Sequence, residues 1–152
     1  SKNKFSVCRF GNVSHSHGSV IPFWLGLHAE NEPLPLTHES MNRLMFSREE
    51  AADLVHKAVL KLEEDNEPFI LSQKMKSVNM HLLVKLISDN IENVGLRPGE
   101  KLNETLVSSK EVPFTFVDGK YIIIRDYENN GDNRLDGEYS SDSRVYVKRR
   151  NG

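Results

Sequence analysis

The sequence predicts an α/β fold on three observations. Ser47 and Glu50 have the spacing of a helix capping box, and an apolar stripe at helical spacing follows them. Short runs of β-forming residues lie before and after the predicted helices. The pair Asp118-Gly119 stands between two such runs and is typical of a two-residue hairpin loop. A chain of 152 residues is long enough for one core. We therefore expect a single domain of short strands with two or three amphipathic helices and a C-terminal β-hairpin.

The first 46 residues contain predicted elements separated by prolines and glycines. Apolar residues alternate in the first segment, and Pro22 fits only the first turn of a helix. The predicted elements are a strand at 4–10, a helix within 18–31, an extended segment at 33–37 and a strand at 43–46. Trp24 lies on the apolar side of the predicted helix, so we expect it in the core.

The clearest predicted helix follows Ser47. Its apolar stripe consists of Ala51, Leu54, Val55, Ala58, Val59 and Leu62. A strand is predicted at 68–71, and a second amphipathic helix from Ser77 to Asn90, with Val78, Leu82, Leu83, Leu86 and Ile87 on its apolar face. The remaining predictions are a loop at 95–101, hairpin strands at 114–117 and 120–124, and a surface loop at 128–142.

Charge and cysteine content exclude several classes of protein. The net charge of −2 does not indicate binding to nucleic acid or to an anionic membrane surface. The longest apolar stretch, Val20 to Leu27, falls short of the roughly 20 residues of a membrane span. Cys8 is the single cysteine, so no internal disulfide forms and a reducing cytoplasm is expected. We interpret Cys8 as a buried structural thiol.

Arg97 and Glu100 lie in the most suggestive loop of the sequence. A turn made rigid by Pro98 and Gly99 presents the Arg97 guanidinium for bidentate contact with a phosphate, and the Glu100 carboxylate for hydrogen bonds from ribose hydroxyls. The alternative is a polar turn whose charges are only solvated. The local sequence leaves both interpretations open.

Two further residues are candidates for ligand contact. Asn12 ends the first predicted strand, where α/β folds place ligands, although an asparagine next to glycine is also a common turn former. Arg43 either points into a cleft or pairs with Glu39. His15 and His17 lie two residues apart, but no zinc signature accompanies them, so no metal site is predicted.

Three segments, in this order, resemble one enzyme family. They are Arg9–Val13 with Gly18–Phe23, Asn42–Ser47 leading into Glu50–Val55, and Gly95–Leu102 followed by Glu104 and Leu106–Ser108. Together they resemble the extended short-chain dehydrogenase/reductases that modify UDP-N-acetylhexosamines for capsule, O-antigen and flagellar glycans, the UDP-N-acetylglucosamine 4,6-dehydratase/epimerase group of polysaccharide biosynthesis. The chain departs from the family at His15-Ser16-His17-Gly18, where relatives commonly have Gly-Ser-Arg-Gly.

The resemblance implies a substrate-binding set drawn from separate loops. It implies Asn12 and Arg43 near the diphosphate, Arg97 and Glu100 near the phosphates and ribose, and Ser19, Val20 and Pro22 along the nucleotide. The implied partner is a UDP-N-acetylhexosamine. By the same resemblance, residues 1–13 are a remnant of a dinucleotide-binding sheet, 14–112 the substrate-binding region, and 113–152 a hairpin and tail.

The catalytic half of such an enzyme is missing from the sequence. The family uses a glycine-rich dinucleotide loop and a Tyr-x-x-x-Lys pair with NAD or NADP. The four tyrosines here are followed, four positions later, by Arg125, Gly131, Ser143 and Arg150. We therefore expect a C-terminal substrate-binding half without its Rossmann N-terminal half, with no catalytic residue and no cofactor of its own, inactive when isolated. The alternative is a freestanding nucleotide-sugar-binding or interaction module without catalysis.

The first predicted strand has no neighbour before it in the sequence, which bears on whether chains associate. An edge strand that lacks its neighbour seeks a partner. We therefore expect the isolated chain to form a dimer or another homo-oligomer.

Overall fold

The computed structural model describes residues 3–142. The strands are β1 Ser6–Cys8, β2 Asn12–Val13, β3 Leu34–Leu36, β4 Asn42–Phe46, β5 Phe69–Gln73, β6 Lys76–Asn79, β7 Ile91–Asn93, β8 Thr105–Val107, β9 Thr115–Asp118, β10 Tyr121–Ile124 and β11 Tyr139–Ser140. The helices are α1 Val20–Ala29, α2 Arg48–Glu64 and α3 Met80–Lys85, with a 3₁₀ turn at Val112–Phe114. The predicted α/β class is confirmed. The end of the predicted tail, 143–152, lies outside the described residues.

The main sheet has the strand order β1-β5-β10-β9. β1 runs parallel to β5, and β10 is antiparallel to both of its neighbours. Helix α2 packs on β1 and β5. Leu54 of α2 and Leu71 of β5 are fully buried between these elements, and Ile122 of β10, which pairs with Ser72, is fully buried on the other face of the sheet. The sheet and α2 therefore form the larger of two cores.

Ser47 begins α2 as the sequence predicts. Its hydroxyl accepts a hydrogen bond from the Glu50 N–H at 3.0 Å, and the Glu50 carboxylate accepts one from the Ser47 N–H at 2.9 Å. This reciprocal pair satisfies two N–H groups that a helix start otherwise leaves without a partner. The predicted capping box is confirmed.

A second sheet, β2-β4-β6, holds the site described below. β2 runs parallel to β4, and β6 runs antiparallel to β4. Gly11 precedes β2, and a Cβ at this position would lie 2.8 Å from the Leu44 carbonyl oxygen and 2.6 Å from Met75 Sδ. The missing side chain therefore lets β2 lie directly against β4.

The smaller core lies under α1, β3 and α3. Its buried residues are Trp24, Leu34, Leu36, Met41, Met80 and Val84. Trp24 is 2% exposed, as predicted, and its indole Nε1 donates to the Pro35 carbonyl at 2.9 Å. β3 pairs in parallel with β7, so the small core is closed by a two-stranded ribbon.

The prediction of a helix from Ser77 to Asn90 is wrong at both ends. Lys76–Asn79 is strand β6, and the helix that follows ends at Lys85. Asn79 caps this helix by accepting a hydrogen bond from the Leu82 N–H at 3.0 Å. Pairing with β4 satisfies the backbone of residues 76–79, and a nonlocal partner of this kind overrides helical periodicity. Leu82 and Leu86, predicted to be buried, are exposed.

The apolar stripe of α2 is also narrower than predicted. Val55 is 44% exposed and Val59 49% exposed, whereas Ala51, Leu54 and Ala58 are buried. Lys57 and Lys61 lie over the rings of Tyr121 and Phe69, on the β5–β10 side of the helix. At 100° per residue, the two valines lie on the opposite flank, beside the β1 edge.

The last predicted elements need two corrections. The hairpin is present, but Asp118 pairs with Tyr121, so its two-residue loop is Gly119-Lys120, with Gly119 at φ +58°. In the segment predicted as a surface loop, Tyr139 is 6% exposed and pairs with Val107 of β8. Its hydroxyl accepts from the Met75 N–H at 2.8 Å, and burial raises the pKa of Tyr139 to about 12.

Candidate functional site

A cavity of about 390 Å³ lies between the β2-β4-β6 sheet and the smaller core of α1, β3 and α3. Residues of β2, β3 and β4 form part of its wall. The loop before α1 and the first turn of this helix, at 16–21, form another part, and Thr37, Met41 and Met80 complete it. The volume is within the range of small-molecule sites. A parallel strand pair and a helix start meet here, so the cavity has the place in the fold that binding sites commonly occupy.

The start of α1 makes one end of the cavity polar. The first N–H groups of a helix lack intrahelical acceptors and carry partial positive charge, which favours bound anions. Ser19 is the N-cap residue, but its side chain makes no capping bond, and its buried Oγ has no hydrogen-bond partner within residues 3–142. A ligand oxygen or hydroxyl at this place would satisfy it.

His17 lies at the same polar end. It lines the cavity, whereas His15 does not and adopts φ +57°. The departure from the family pattern in this loop therefore places an imidazole beside the start of α1.

The other end of the cavity is apolar. Trp24, Pro35, Leu36, Met41 and Met80 contribute to its wall. The Trp24 indole is fixed by its hydrogen bond to Pro35, and Leu36 is 1% exposed. Thioether and ring surfaces of this kind suit a flat heterocycle. The cavity thus combines an anion-attracting end with an end that excludes water.

Arg43 joins the cavity to the segment after the predicted phosphate loop. Its Nη1 donates to the carbonyl oxygens of Asn42 at 2.8 Å and Leu102 at 3.0 Å, and its Nη2 donates to that of Lys101 at 2.9 Å. Its Nε lies 3.5 Å from Glu104 Oε1, and the side chain is 13% exposed. In the described part of the chain, its ion-pair partner is Glu104 rather than Glu39.

The structure brings together four of the seven predicted site residues. Asn12, Ser19, Val20 and Arg43 line the cavity. Pro22, in the first turn of α1, is exposed and does not line it.

Arg97 and Glu100 also lie outside the cavity lining. They form a closed, exposed turn: the Glu100 N–H donates to the Arg97 carbonyl at 3.0 Å, and the Arg97 N–H donates to the Glu100 carboxylate at 3.3 Å. The turn reaches the cavity through Lys101 and Leu102, whose carbonyls Arg43 holds. The expectation that one cleft contains all three charged side chains is therefore not met in this structure.

Sequence reasoning missed Glu104 as a neighbour of the site. Its Oε2 accepts a hydrogen bond from Asn12 Nδ2 at 3.3 Å while its Oε1 faces Arg43. These partners are 92 and 61 positions away in sequence, so no local pattern indicates them. Glu104 lies in the third family-like segment, and this was the one signal in the sequence that pointed to it.

Arg9 connects the segment before β2 to β8 and to Glu111. Its guanidinium pairs with both carboxylate oxygens of Glu111 at 2.9 Å and donates to the Leu106 carbonyl at 2.8 Å. The Arg9 hydrogen bonds hold the pKa of Glu111 below its ordinary value. The segment that leads into Asn12 is thereby tied to β8. Nearby, partial burial raises the pKa of the Cys8 thiol, which fits a structural role.

The residues around the cavity do not fit a dinucleotide cofactor. The turn from β2 to α1 contains one glycine, Gly18, where a dinucleotide turn uses three closely spaced glycines. Within residues 3–142 no group of three His, Cys, Asp or Glu side chains is placed to hold a metal ion. None of the helices described there has the length and apolarity of a membrane span.

The fold is α/β, and its cavity has the size of a small-molecule site. The sequence model of the family described as polysaccharide biosynthesis protein matches residues 1–126. The chain belongs to this family, and the resemblance noted in its three segments is confirmed.

Similar proteins cover most of the chain. An uncharacterized membrane protein of Methanocaldococcus jannaschii is 38% identical over 124 residues, which are 73% of this chain and 36% of that protein. A UDP-glucose 4-epimerase of Rickettsia bellii is 36% identical over 117 residues, with 73% and 33% covered. An inverting UDP-N-acetylglucosamine 4,6-dehydratase of Campylobacter jejuni is 32% identical over 126 residues, with 81% and 37% covered.

A solved structure gives the same result for the fold. The X-ray structure of Pen from Bacillus thuringiensis superposes with a TM-score of 0.76 at 31% identity, over 92% of this chain and 46% of that one. The chain spans about a third of the length of these curated relatives and about half of the solved structure.

Proposed function

We propose that the chain binds a UDP-sugar in the 390 Å³ cavity, as the substrate-binding portion of a dehydratase or epimerase of polysaccharide biosynthesis. The observation that carries the proposal is that one cavity is lined by the α1 start, by Arg43 and by an apolar wall. Relatives named as a UDP-glucose 4-epimerase and a UDP-N-acetylglucosamine 4,6-dehydratase support the ligand class.

The two ends of the cavity correspond to two parts of such a ligand. The diphosphate lies at the start of α1, where helix N–H groups and Arg43 offset its charge. Ser19 Oγ donates to a ligand oxygen there, and Asn12 contributes its amide. The uracil ring lies against Met41, whose side chain forms part of the apolar wall.

The exposed Arg97–Glu100 turn is proposed to contact the ligand only after it moves. Contact with the phosphates and the ribose requires the turn to move toward the cavity, because neither side chain lines it in this structure. The turn pivots at Lys101 and Leu102, because hydrogen bonds from Arg43 hold the carbonyl oxygens of these two residues in place. Binding thus closes the turn over the nucleotide.

Chemistry belongs to a further part of the enzyme in this proposal. NAD or NADP, the tyrosine base and the glycine-rich loop lie on a Rossmann portion, and the site described here holds the sugar nucleotide for it in the cytoplasm. The finer assignment is a UDP-N-acetylhexosamine 4,6-dehydratase or 4-epimerase for capsule, O-antigen or flagellar glycans. The chain by itself turns over no substrate.

The Rossmann portion docks at the open edge of β1. Within the described residues, β1 pairs on one side only, with β5. Phe5 and Val7 at that edge are 71% and 58% exposed, and Val7 pairs with Ile70 on the face of the sheet away from α2. The exposed valines of α2, Val55 and Val59, lie on the other face. A Rossmann portion with helices on both faces of its sheet covers both surfaces: its strand pairs with β1, one helix packs beside α2, and another packs over Val7.

Calorimetry with UDP and UDP-N-acetylglucosamine tests the binding proposal. The intact chain is expected to bind both, and Arg43→Met and Ser19→Ala are each expected to weaken binding, Arg43→Met by tenfold or more because a charge-assisted contact is lost. Arg48→Met is the matched control, since Arg48 is exposed at the start of α2. Equal affinity of the Arg43 and Arg48 variants for UDP would refute the site.

A binding module without catalysis is the second candidate, because the cavity lining supports binding and shows no dinucleotide turn. Mixing the chain with an N-terminal portion of the Campylobacter jejuni relative, ending where the similarity begins, separates the two functions. Dehydration of UDP-N-acetylglucosamine in the mixture supports the enzyme portion. UDP binding without turnover in a mixture shown to associate supports the module.

A further inference from the structure

Glu104 does not line the cavity itself, but its carboxylate lies between Asn12 and Arg43, two lining side chains that the proposed function assigns to the diphosphate. One carboxylate oxygen lies 3.5 Å from Arg43 Nε, and the other accepts from Asn12 Nδ2 at 3.3 Å. The second hydrogen of the Asn12 amide has the Leu44 carbonyl as its acceptor at 3.2 Å. The donors that would meet a phosphate are therefore directed at groups of the protein itself.

The N–H donors of Arg43 are also directed at acceptors of the protein itself. A guanidinium has five N–H donors. The acceptors around this one are three backbone carbonyls, of Asn42, Lys101 and Leu102, and the Glu104 carboxylate. The carbonyls belong to the fold and stay in place. The carboxylate is the partner that an incoming anion is able to replace.

We propose that Glu104 is an internal competitor for the anion site and sets its affinity. This inference rests on the proposed function. In the empty site the carboxylate takes the position of a phosphate oxygen between Asn12 and Arg43. When the ligand binds, the carboxylate turns out toward solvent and the phosphate takes its place.

The environment of Glu104 permits this movement. Its side chain is 51% exposed, and its contacts of 3.3 and 3.5 Å are long for charge-assisted hydrogen bonds. Its backbone is held at both polar atoms: the N–H donates to Ser141 Oγ at 2.8 Å, and the carbonyl accepts from the Ser141 N–H at 2.8 Å. The side chain therefore rotates on a fixed backbone.

The charge of Glu104 opposes binding in two ways. It pairs with Arg43 in the empty site, a weak interaction for so exposed a carboxylate, and it repels a phosphate that approaches the same guanidinium. Neutralising it removes both effects. We expect Glu104→Gln to raise the affinity for a diphosphate by up to about fivefold, the range of one exposed charge pair.

The test measures binding of inorganic pyrophosphate and of UDP to Glu104→Gln and Glu104→Ala by calorimetry. Asp53→Asn, at an exposed position of α2, is the control for the same change in net charge. The Nε–H resonance of Arg43, followed by NMR, reports exchange of the carboxylate for the ligand. Thermal unfolding of each variant identifies any loss of folding, and Glu104→Gln is the decisive variant if Glu104→Ala is unstable.

Tighter binding of both ligands by the Glu104 variants, and not by Asp53→Asn, supports the competitor. Unchanged or weaker binding overturns it, and weaker binding by Glu104→Ala with recovery in Glu104→Gln assigns Glu104 a positioning role instead. If pyrophosphate binding tightens while UDP fails to bind, the competitor stands and the proposed nucleotide function fails. If no variant binds either ligand, both ideas are wrong.

Discussion

Arg43 Nη1 donates to the carbonyl oxygen of Leu102 at 3.0 Å, across 59 positions of sequence. The bond links β4, at the wall of the cavity, to the segment that follows the Arg97–Glu100 turn. One guanidinium therefore has two roles, as a structural tie and as the cation of the site. The first role is seen directly in the contacts, and the second is the proposal.

Replacing Arg43 is expected to destabilise the fold. Arg43→Ala removes the hydrogen bonds from a charged donor to the carbonyls of Asn42, Lys101 and Leu102, a loss of about 1.5–3 kcal/mol. The Leu102 carbonyl keeps the Asn42 N–H as a donor, and the Asn42 carbonyl keeps the Ser141 hydroxyl. Urea unfolding measures the change in the free energy of unfolding. Arg48→Ala, at an exposed position, is expected to change it by less than about 0.5 kcal/mol. Equal stability of the two variants would show that the Arg43 contacts contribute nothing.

Gly11 and Gly26 are expected to respond to alanine in opposite directions. Gly11→Ala places a methyl group 2.8 Å from the Leu44 carbonyl oxygen, so we expect a loss of about 1–3 kcal/mol from overpacking. Gly26 lies inside α1 with nothing within 4 Å of a Cβ, so Gly26→Ala is expected to stabilise by about 0.5–1 kcal/mol. Thermal unfolding of both variants checks the signs. A stabilised Gly11→Ala would contradict the close approach of β2 to β4.

The Arg9–Glu111 pair predicts a loss of stability in acid. The pKa of Glu111 is held below its ordinary value of 4.5, chiefly by hydrogen bonds from Arg9, so its carboxylate is favoured in the folded state. The contribution is complete above the unfolded pKa and is lost as the pH falls through the lower, folded pKa. Unfolding free energy measured from pH 6 downward should decline less steeply below about pH 4.5 for Glu111→Gln than for the unchanged chain. Parallel curves would refute the linkage.

The features that sequence predicted are those whose causes are local. Ser47 and Glu50 lie three positions apart and satisfy each other, so the start of α2 is readable from four residues. The hairpin around Gly119 is also local, with an error of one position in its loop. Trp24 follows from helical spacing alone.

The features that sequence missed have distant causes. Lys76–Asn79 forms a strand because β4 pairs with it, although its apolar spacing fits a helix. Tyr139 is buried because its hydroxyl reaches the backbone of Met75, 64 positions away. Glu104 meets Asn12 through the same kind of long-range contact. The Arg97–Glu100 turn was predicted correctly as a loop, but its orientation relative to the cavity depends on packing that no local pattern contains.

An NMR titration of the ¹⁵N-labelled chain with UDP tests the cavity assignment most directly. Binding in the cavity is expected to shift the backbone amides of residues 18–21 at the start of α1, the Trp24 indole N–H and the Arg43 Nε–H. An absence of shifts at saturating UDP, or shifts confined to surfaces away from this cavity, would contradict it.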